Sequence, residues 1–174
     1  MPPNPLLERF APLILEKGLE GPVLDLACGE GQNGLYLAEL GLPVILADRD
    51  ATRLRAAQEN AKEKGLEVTL WEKDLENGEN PFQEEHYRAI LVFRYLHRPL
   101  IPCIKKGIRQ GGFLFYETFT IDQARYGHPH NPAFLLKPGE LQEWFKDWHV
   151  IHYFEGLLED PTRAMAQIIC RKLF

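Results

Sequence analysis

Three glycines in the segment VLDLACGEGQNG (residues 23–34) have the spacing of a cofactor-binding turn. Gly29, Gly31 and Gly34 form a G-x-G-x-x-G pattern directly after an apolar run that is typical of a buried strand. Such a turn lets a ligand approach the backbone closely, and the helix after it offers free N–H groups to the ligand. The spacing therefore predicts a cofactor-binding site between this strand and the following helix.

Two aspartates beside this turn bear on which cofactor it holds. Asp48 follows Gly29 by 19 residues, where an acidic residue binds a ribose hydroxyl, so a nicotinamide dinucleotide and S-adenosylmethionine both fit that spacing. Asp25 lies four residues before Gly29. A carboxylate there repels a pyrophosphate and attracts the ammonium group of a methionine moiety, so Asp25 favours S-adenosylmethionine.

Three polar side chains near the ends of later strands are candidate catalytic residues. Tyr95 and His97 follow the apolar run YRAILVF (87–93), and Glu117 lies in the run GGFLFYETF (111–119). Methyl transfer from a sulfonium depends mostly on alignment and exclusion of water, and it needs a base only when the acceptor carries a proton. His97 is the only one of the three whose unperturbed pKa lies near neutrality.

The segment 118–137 is long for a connection in a compact domain, and such segments usually have a function. It contains Arg125, Tyr126 and His128, and we interpret it as a lid that closes over the acceptor. An arginine can bind a carboxylate or an oxyanion through two parallel hydrogen bonds. A loop that only packs on the domain surface is the alternative. The tripeptide HPH at 128–130 has no neighbouring cysteine or acidic cluster, so no metal site is predicted.

The elements that must position these residues alternate between strands and helices. Helices are predicted at residues 6–17, 32–40, 50–64, 99–109 and 138–147, and strands at 22–27, 43–48, 67–74, 87–93 and 111–119. The last two apolar runs, 148–157 and 163–173, flank the turn signal LEDPT and predict an antiparallel hairpin. This order implies an α/β fold with a Rossmann-like, doubly wound, mostly parallel sheet of about seven strands and a C-terminal antiparallel hairpin.

We expect residues 1–174 to form a single domain, with an N-terminal helix within residues 1–21. Ligands of doubly wound sheets bind beyond the carboxyl ends of the strands, at the point where the strand order reverses. Asp25, Asp48 and Glu117 all lie at or near predicted strand ends, so the fold is expected to bring them to one edge of the sheet.

Charge and composition weigh against several classes of partner. The net charge of −5 gives no basic footprint of the kind that binds nucleic acid or anionic lipid, so a nucleic-acid partner is not expected. The N-terminus MPPNPLLERF lacks a signal-peptide pattern, and no apolar run approaches the roughly 18 residues of a membrane span. Cys28, Cys103 and Cys170 are odd in number and far apart, which indicates neither a disulfide framework nor a zinc site. We expect a cytoplasmic protein without a membrane partner, and the oligomeric state remains open.

The motifs also resemble a known family in their order along the chain. VLDLACGEGQNG, Asp48, KDL at 73–75 and IRQGGFLFYE at 108–117 resemble the ordered motifs of class I S-adenosylmethionine-dependent methyltransferases. The segments CGEGQNGLYLA and LLKPGELQEWFKDWHVIHYFEG are similar to the small tellurite-resistance-type methyltransferases. This resemblance covers most of the chain and implies S-adenosylmethionine as the cofactor.

The resemblance also implies roles for individual residues around that cofactor. The amino-acid end is expected near Asp25, Gly29 and Gly31, and the methionine side near Phe93 and Arg94. The adenosine end is expected near Asp48 at the ribose, Arg49 beside the adenine, Asp74 at the adenine amino group and the backbone of Leu75.

Residues and resemblance together predict S-adenosylmethionine-dependent methyl transfer to a small molecule or a metalloid anion by in-line displacement. A methyltransferase for RNA or protein is the alternative within the same enzyme class. A nicotinamide-dependent oxidoreductase and a cofactor-binding module without catalysis are the alternatives from other classes. The sequence does not name the methyl acceptor.

Overall fold

A single seven-stranded sheet organises the chain in the computed structural model, which describes residues 1–174. The strands are β1 Val23–Leu26, β2 Val44–Asp48, β3 Thr69–Glu72, β4 Tyr87–Phe93, β5 Ile108–Phe119, β6 His149–Leu158 and β7 Arg163–Arg171. Their spatial order is β3-β2-β1-β4-β5-β7-β6. Strands β1 to β5 pair in parallel, and β7 pairs antiparallel with both β5 and β6.

Five α-helices and four short 3-10 helices connect the strands. The α-helices are α1 Pro5–Phe10, α2 Gln32–Glu39, α3 Ala51–Glu63, α4 Ile101–Gly107 and α5 Glu140–Trp144. The 3-10 helices are Ala11–Leu15, Arg98–Leu100, Ile121–Arg125 and Pro132–Phe134. None of the helices is long and apolar enough to span a membrane.

Strand β1 lies inside the sheet between β2 and β4, where the direction of the strand order reverses. Asp25 on β1 stands opposite Leu46 of β2 on one side and Leu91 of β4 on the other. The chain runs outward from β1 to β3 and then crosses back to β4, so the crevice beyond β1 and β4 is the topological switch point. A ligand site is therefore expected beyond Leu26 and Phe93, the last residues of these two strands.

Alternating side chains of the central strands supply two apolar cores, one on each face of the sheet. On β1, Leu24 and Leu26 belong to a core that also contains residues of α4 and α5, whereas Val23 belongs to a core with residues of α1, α2 and α3. Burial of strands on both faces is typical of parallel sheets. It fixes the strand ends rigidly, and with them the residues that follow the strands.

The predicted fold class is confirmed, including the antiparallel hairpin β6–β7, although some element bounds differ. The predicted helix 6–17 is α-helical only to Phe10 and continues as a 3-10 helix, because Pro12 has no N–H to donate to the preceding turn. Strand β5 begins at Ile108 instead of residue 111. Gly111 and Gly112 lie inside that strand, where a Cβ on Gly112 would come within 2.9 Å of the Arg88 carbonyl oxygen.

Candidate functional site

The glycine turn after β1 is shaped by left-handed backbone and by close packing. Gly29 and Gly31 have positive φ angles of 58° and 83°, which favour glycine, and Gly31 caps α2. A Cβ on Gly34 would overlap Leu46 of β2, so this glycine lets α2 pack tightly on the sheet. Only Arg53 lies within 4 Å of a Cβ built on Gly29, and that space is free for a ligand.

Asp48 at the end of β2 is tied to this turn. Its Oδ2 accepts a hydrogen bond from the Gly29 N–H at 2.9 Å, and its Oδ1 accepts one from the Asp50 N–H at 2.9 Å. Asp50 in turn caps α3 by accepting hydrogen bonds from the N–H groups of Thr52 and Arg53. The Asp48 carboxylate is thus held in one orientation at the mouth of the crevice.

Asp25 lies beneath the turn and is almost fully buried. Its Oδ2 accepts a hydrogen bond from the Gly34 N–H at 2.9 Å. Burial raises the pKa of this carboxyl to about 7, the nearby Asp48 charge adds to the rise, and the Gly34 hydrogen bond opposes it. An ionised Asp25 would be stabilised by a cationic partner. In the protein it accepts a hydrogen bond from the Gly34 N–H and forms no salt bridge.

A cavity of about 500 Å³, here called the strand-end cavity, opens beyond the carboxyl ends of the strands. One half is formed by residues on the β2 and β3 side, among them Asp48, Arg49, Arg53, Lys73, Leu75 and Glu76. The other half is formed after β4 and β5 by Arg94, Tyr95, Leu96, Thr118 and Phe119, and is covered by His128, Pro129 and Phe134. The cavity therefore crosses the switch point of the sheet.

A second space, here called the N-terminal cavity, adjoins the first. Residues 1–5 line it together with Asp25, Gly29, Phe93 and Glu117. The two cavities share Ala27, Arg53 and Arg94 as lining residues. An elongated ligand can therefore extend from the β2 side of the strand-end cavity, past the glycine turn, to the buried carboxylates.

The structure brings most of the predicted cofactor residues to this joined space. Those that line one cavity or both are Asp25, Gly29, Asp48, Arg49, Leu75, Phe93 and Arg94. Gly31 lies outside both linings, because its α-carbon packs toward Leu46 and Ala57 under the turn. Asp74 is exposed and outside both linings, and its Oδ1 accepts a hydrogen bond from the Glu76 N–H at 2.9 Å.

The three candidate catalytic residues occupy different places. Tyr95 lines the strand-end cavity, and its hydroxyl donates to Glu76 Oε2 at 3.2 Å. Burial raises the pKa of Tyr95 far above its usual value, with the Glu76 charge adding to the rise, so this phenol stays neutral. His97 does not line either cavity: its Nδ1 lies 3.2 Å from Glu76 Oε1, behind that carboxylate.

Glu117 faces the N-terminal cavity from β5. Its Oε1 accepts from the Asn4 side-chain amide at 2.8 Å, and its Oε2 accepts from the Gln167 amide at 2.6 Å. The Asn4 N–H donates to Asn33 Oδ1 at 2.8 Å, which holds Asn4 in place at the cavity. Glu117 is thus a buried carboxylate held by two neutral donors, with no hydrogen bond to a histidine.

The segment 118–137 is ordered and anchored at both ends. Thr118 and Phe119 belong to β5, the Ile121 N–H donates to the Leu136 carbonyl at 2.9 Å, and the Leu136 N–H donates to the Phe119 carbonyl at 2.9 Å. Its residues that line the strand-end cavity are Thr118 and Phe119 at the start and His128, Pro129 and Phe134 further along.

Of the three predicted acceptor residues in this segment, only His128 lines the strand-end cavity. Arg125 and Tyr126 are exposed on the outer side, which corrects their predicted placement. The reason is the 3-10 helix Ile121–Arg125, which turns Gln123 inward. The Gln123 side chain accepts from the buried Ala164 N–H at 2.8 Å and donates to the His128 carbonyl at 3.1 Å.

Several residues of the site were not found from the sequence. Glu76, Arg53, Phe119 and Phe134 line the strand-end cavity, and Asn4 spans the N-terminal cavity. Only Asn4 carried a recognisable signal, since an Asn before Pro at a helix start is typical of an N-cap, and its side chain does accept from the Leu6 N–H. No group of three or more His, Cys, Asp or Glu side chains has a geometry that could hold a metal ion.

Fold and site together define a domain of the class I methyltransferase type, and comparison with known proteins specifies the family. The family model of the tellurite resistance protein TehB matches residues 16–164. The chain belongs to the TehB family. The predicted resemblance is confirmed, and membership favours S-adenosylmethionine over a nicotinamide dinucleotide as the cofactor.

Individual relatives agree with this assignment. A Haemophilus influenzae protein named "Probable S-adenosyl-L-methionine-dependent methyltransferase TehB" is 28% identical over 142 residues, which are 79% of this chain and 49% of that protein. The chain therefore spans about half the length of this curated relative.

Solved structures show the same fold. The crystal structure of TehB from Haemophilus influenzae superposes with a TM-score of 0.74 at 23% identity, over 96% of this chain and 65% of the other. Magnesium protoporphyrin IX methyltransferase from Synechocystis PCC 6803, with bound SAH, has a TM-score of 0.72 at 16% identity, over 96% and 81% of the two chains.

Proposed function

We propose that this protein transfers the methyl group of S-adenosylmethionine to a small-molecule acceptor. The observation that supports this most strongly is the joined space at the switch point. It has one held carboxylate, Asp48, on the β2 side, and one buried carboxylate without a cationic partner, Asp25, beneath the glycine turn. The β4 and β5 side of the strand-end cavity leaves room for a second molecule.

The cofactor is proposed to lie along this space in one direction. Asp48 would accept hydrogen bonds from the ribose hydroxyls, and Arg49 and Leu75 would flank the adenine. Asp25 would pair with the methionine ammonium group, which restores the ionised form of that carboxyl. Asp74 is exposed and lines neither cavity, so its contribution is proposed to be minor.

Methyl transfer then requires an acceptor atom in line with the sulfonium carbon. Holding both molecules in one water-poor cavity supplies most of the rate enhancement, because the sulfonium is already activated. Tyr95 is proposed to line the acceptor side with its ring, since its phenol stays neutral and donates its proton to Glu76. His97 would act only through Glu76, and Glu117 would face the methionine side from the N-terminal cavity.

The acceptor side is proposed to be closed by residues 128–134 and not by the whole segment 118–137. His128 remains a candidate contact for the acceptor because it lines the cavity. Arg125 and Tyr126 do not line it, so neither is proposed to bind the acceptor.

Ligand binding followed by methyl transfer tests this proposal. Calorimetry should show binding of S-adenosylmethionine and S-adenosylhomocysteine, and no binding of NADH. The variant Asp48→Ala should lose affinity, whereas Glu63→Ala, which removes one exposed carboxylate from the far end of α3, should not. Transfer of a labelled methyl group to any small molecule then establishes an enzyme. Binding of NADH in preference to S-adenosylmethionine would contradict the proposal.

A further inference from the structure

The half of the strand-end cavity that faces the acceptor is walled mostly by apolar side chains. Phe119 ends β5, Tyr95 and Leu96 follow β4, and Pro129 and Phe134 cover the space from the segment 118–137. The polar lining residues of this half are Arg94, Thr118 and His128. Phe134 is 50% exposed although it lines the cavity. An exposed large apolar side chain at a concave site is typical of a surface that a ligand covers.

The position of Phe134 is fixed by hydrogen bonds to its backbone neighbours. The Asn131 side chain accepts from the Ala133 N–H at 3.0 Å and so caps the 3-10 helix that contains Phe134. Arg98 donates to the Leu135 carbonyl at 2.9 Å and also forms a salt bridge with Glu140. Because both flanks are held, the backbone that carries the Phe134 ring is fixed beside the cavity.

The charges in this half of the cavity are few. Four Lys and Arg side chains line the strand-end cavity as a whole. Arg94 is the one on the acceptor side, and the other three, on the β2 and β3 side, are Arg49, Arg53 and Lys73. The Arg94 guanidinium lies 5.5 Å from the centre of the Phe119 ring. A small hydrated oxyanion would lose its hydration against apolar rings with one cation to compensate, which is unfavourable. A molecule with an aromatic body and a single negative oxygen matches this wall better.

Building on the proposed function, we infer that the methyl acceptor is a small aromatic compound with an acidic hydroxyl group. Its ring packs on Phe119 and Phe134, and its ionised oxygen lies beside Arg94. The hydroxyl proton leaves to solvent before transfer, so no protein base takes part. An oxygen lone pair then forms the new bond to the methyl carbon while the bond from that carbon to the sulfonium sulfur breaks, which gives an aryl methyl ether and neutral S-adenosylhomocysteine.

Binding of two acidic aromatic probes to the protein loaded with S-adenosylhomocysteine tests this inference. The probes are 4-nitrophenol, whose absorbance reports its ionisation, and 4-hydroxyquinoline. Nitrobenzene, which has no hydroxyl, and sodium tellurite serve as comparison ligands. We expect both hydroxyl probes to bind more tightly than nitrobenzene and tellurite, and the pKa of 4-nitrophenol to fall on binding because of Arg94.

Variants separate the aromatic wall from general effects on the fold. Phe134→Ala should weaken binding of 4-nitrophenol by at least about tenfold, because stacking and burial of one ring are lost. Phe134→Leu should recover part of the affinity. Tyr126→Ala, which removes an exposed aromatic ring from the same segment outside the cavity, should leave binding unchanged.

The outcomes distinguish this inference from the proposed function. If S-adenosylhomocysteine does not bind, the proposed function fails and the inference fails with it. If it binds but neither hydroxyl probe does, or if tellurite binds more tightly and Phe134→Ala has no effect, only the aromatic acceptor is overturned.

Discussion

The carboxylate of Asp48 accepts a hydrogen bond from the backbone N–H of Gly29 at 2.9 Å, across 19 residues of sequence. One acidic side chain therefore fixes the glycine turn and, on the proposed function, contacts the ribose as well. These hydrogen bonds explain how Asp48 can be nearly buried at the end of a strand, where burying a carboxylate without a partner would cost free energy. A change at this residue should affect folding and binding together.

The variant Asp48→Asn should weaken S-adenosylmethionine binding by about 1.5–3 kcal/mol, the range for a hydrogen bond to a charged group. It should also lower the free energy of unfolding by roughly 1 kcal/mol, because the new NH2 group faces one of the two backbone N–H donors. Calorimetry and urea denaturation measure the two effects. Asp122→Asn is the matched control, since Asp122 is exposed. Unchanged cofactor affinity in Asp48→Asn would remove this residue from the proposed site.

The raised pKa of Asp25 should make the stability of the ligand-free protein depend on pH. In the folded state the carboxyl keeps its proton up to about pH 7, whereas in the unfolded chain it loses the proton above its ordinary pKa of 3.8. The unfolded state thus binds fewer protons between these values, and stability falls as pH rises, by up to about 1.4 kcal/mol per unit.

Asp25→Asn should remove this dependence, because the amide oxygen still accepts from Gly34 but does not titrate. Urea denaturation at pH 5 and pH 7.5 should show that the variant gains stability relative to the wild type at the higher pH. An equal difference at both values would contradict a raised pKa.

The hydrogen bond between Asn4 and Glu117 should stabilise the wall of the N-terminal cavity. Asn4→Asp keeps the acceptor that caps α1 but sets a carboxylate against Glu117. We expect a loss of thermal stability, because the variant replaces a hydrogen bond with repulsion between two carboxylates. Asn4→Ala removes the hydrogen bond and the cap without adding charge, and it should cost about 1–3 kcal/mol. Thermal stability of Asn4→Asp equal to that of the wild type would refute the contact between Asn4 and Glu117.

The sequence predicted those parts of the site that depend on local patterns. The glycine turn, Asp25 and Asp48 follow from spacing after a strand, and Asp50 caps α3 as its position before the helix indicates. The fold class follows from alternating strands and helices, since few topologies can bury both faces of a parallel sheet.

Contacts between distant segments could not be predicted in this way. Asn4 and Glu117 are separated by 113 residues, and no local pattern relates them. The inward orientation of Gln123 and outward orientation of Arg125 depend on a five-residue 3-10 helix, which is too short to produce a periodic apolar pattern. Glu76 joins Tyr95 and His97 only after the loops beyond β3 and β4 have packed together.

The salt bridge between Arg98 and Glu140 should hold the segment around Phe134 in place at neutral pH and should be lost in acid. Burial alone would raise the pKa of Glu140, but the hydrogen bond and charge of Arg98 outweigh burial and lower it. A depressed folded-state pKa gives stability that is present above the unfolded value of 4.5 and is lost as pH falls.

Hydrogen exchange of residues 131–137 measures this contribution. Exchange should be faster in Arg98→Ala than in the wild type at pH 7, and the two proteins should become alike at pH values below the folded-state pKa of Glu140. Arg98→Lys should recover only part of the protection, because lysine cannot form the bidentate contact to Glu140. Equal protection in all three proteins at pH 7 would show that the pair does not hold this segment.

Gln123 and Arg125 lie two residues apart in the same 3-10 helix and should respond in opposite ways to substitution. Gln123→Ala leaves the buried Ala164 N–H without its acceptor and frees the His128 carbonyl, so it should cost about 1–3 kcal/mol of stability.

Because His128 and Pro129 line the acceptor half of the cavity, the same variant should weaken binding of 4-nitrophenol to the protein loaded with S-adenosylhomocysteine. Its affinity for S-adenosylhomocysteine should stay unchanged, since the hydrogen-bond partners of the Gln123 side chain, His128 and Ala164, do not lie on the β2 side. Arg125→Ala should alter neither binding nor stability by more than a few tenths of a kcal/mol, as expected for an exposed charge. Reduced binding in Arg125→Ala together with normal binding in Gln123→Ala would mean that the outer face of this helix, and not its inner face, contacts the acceptor.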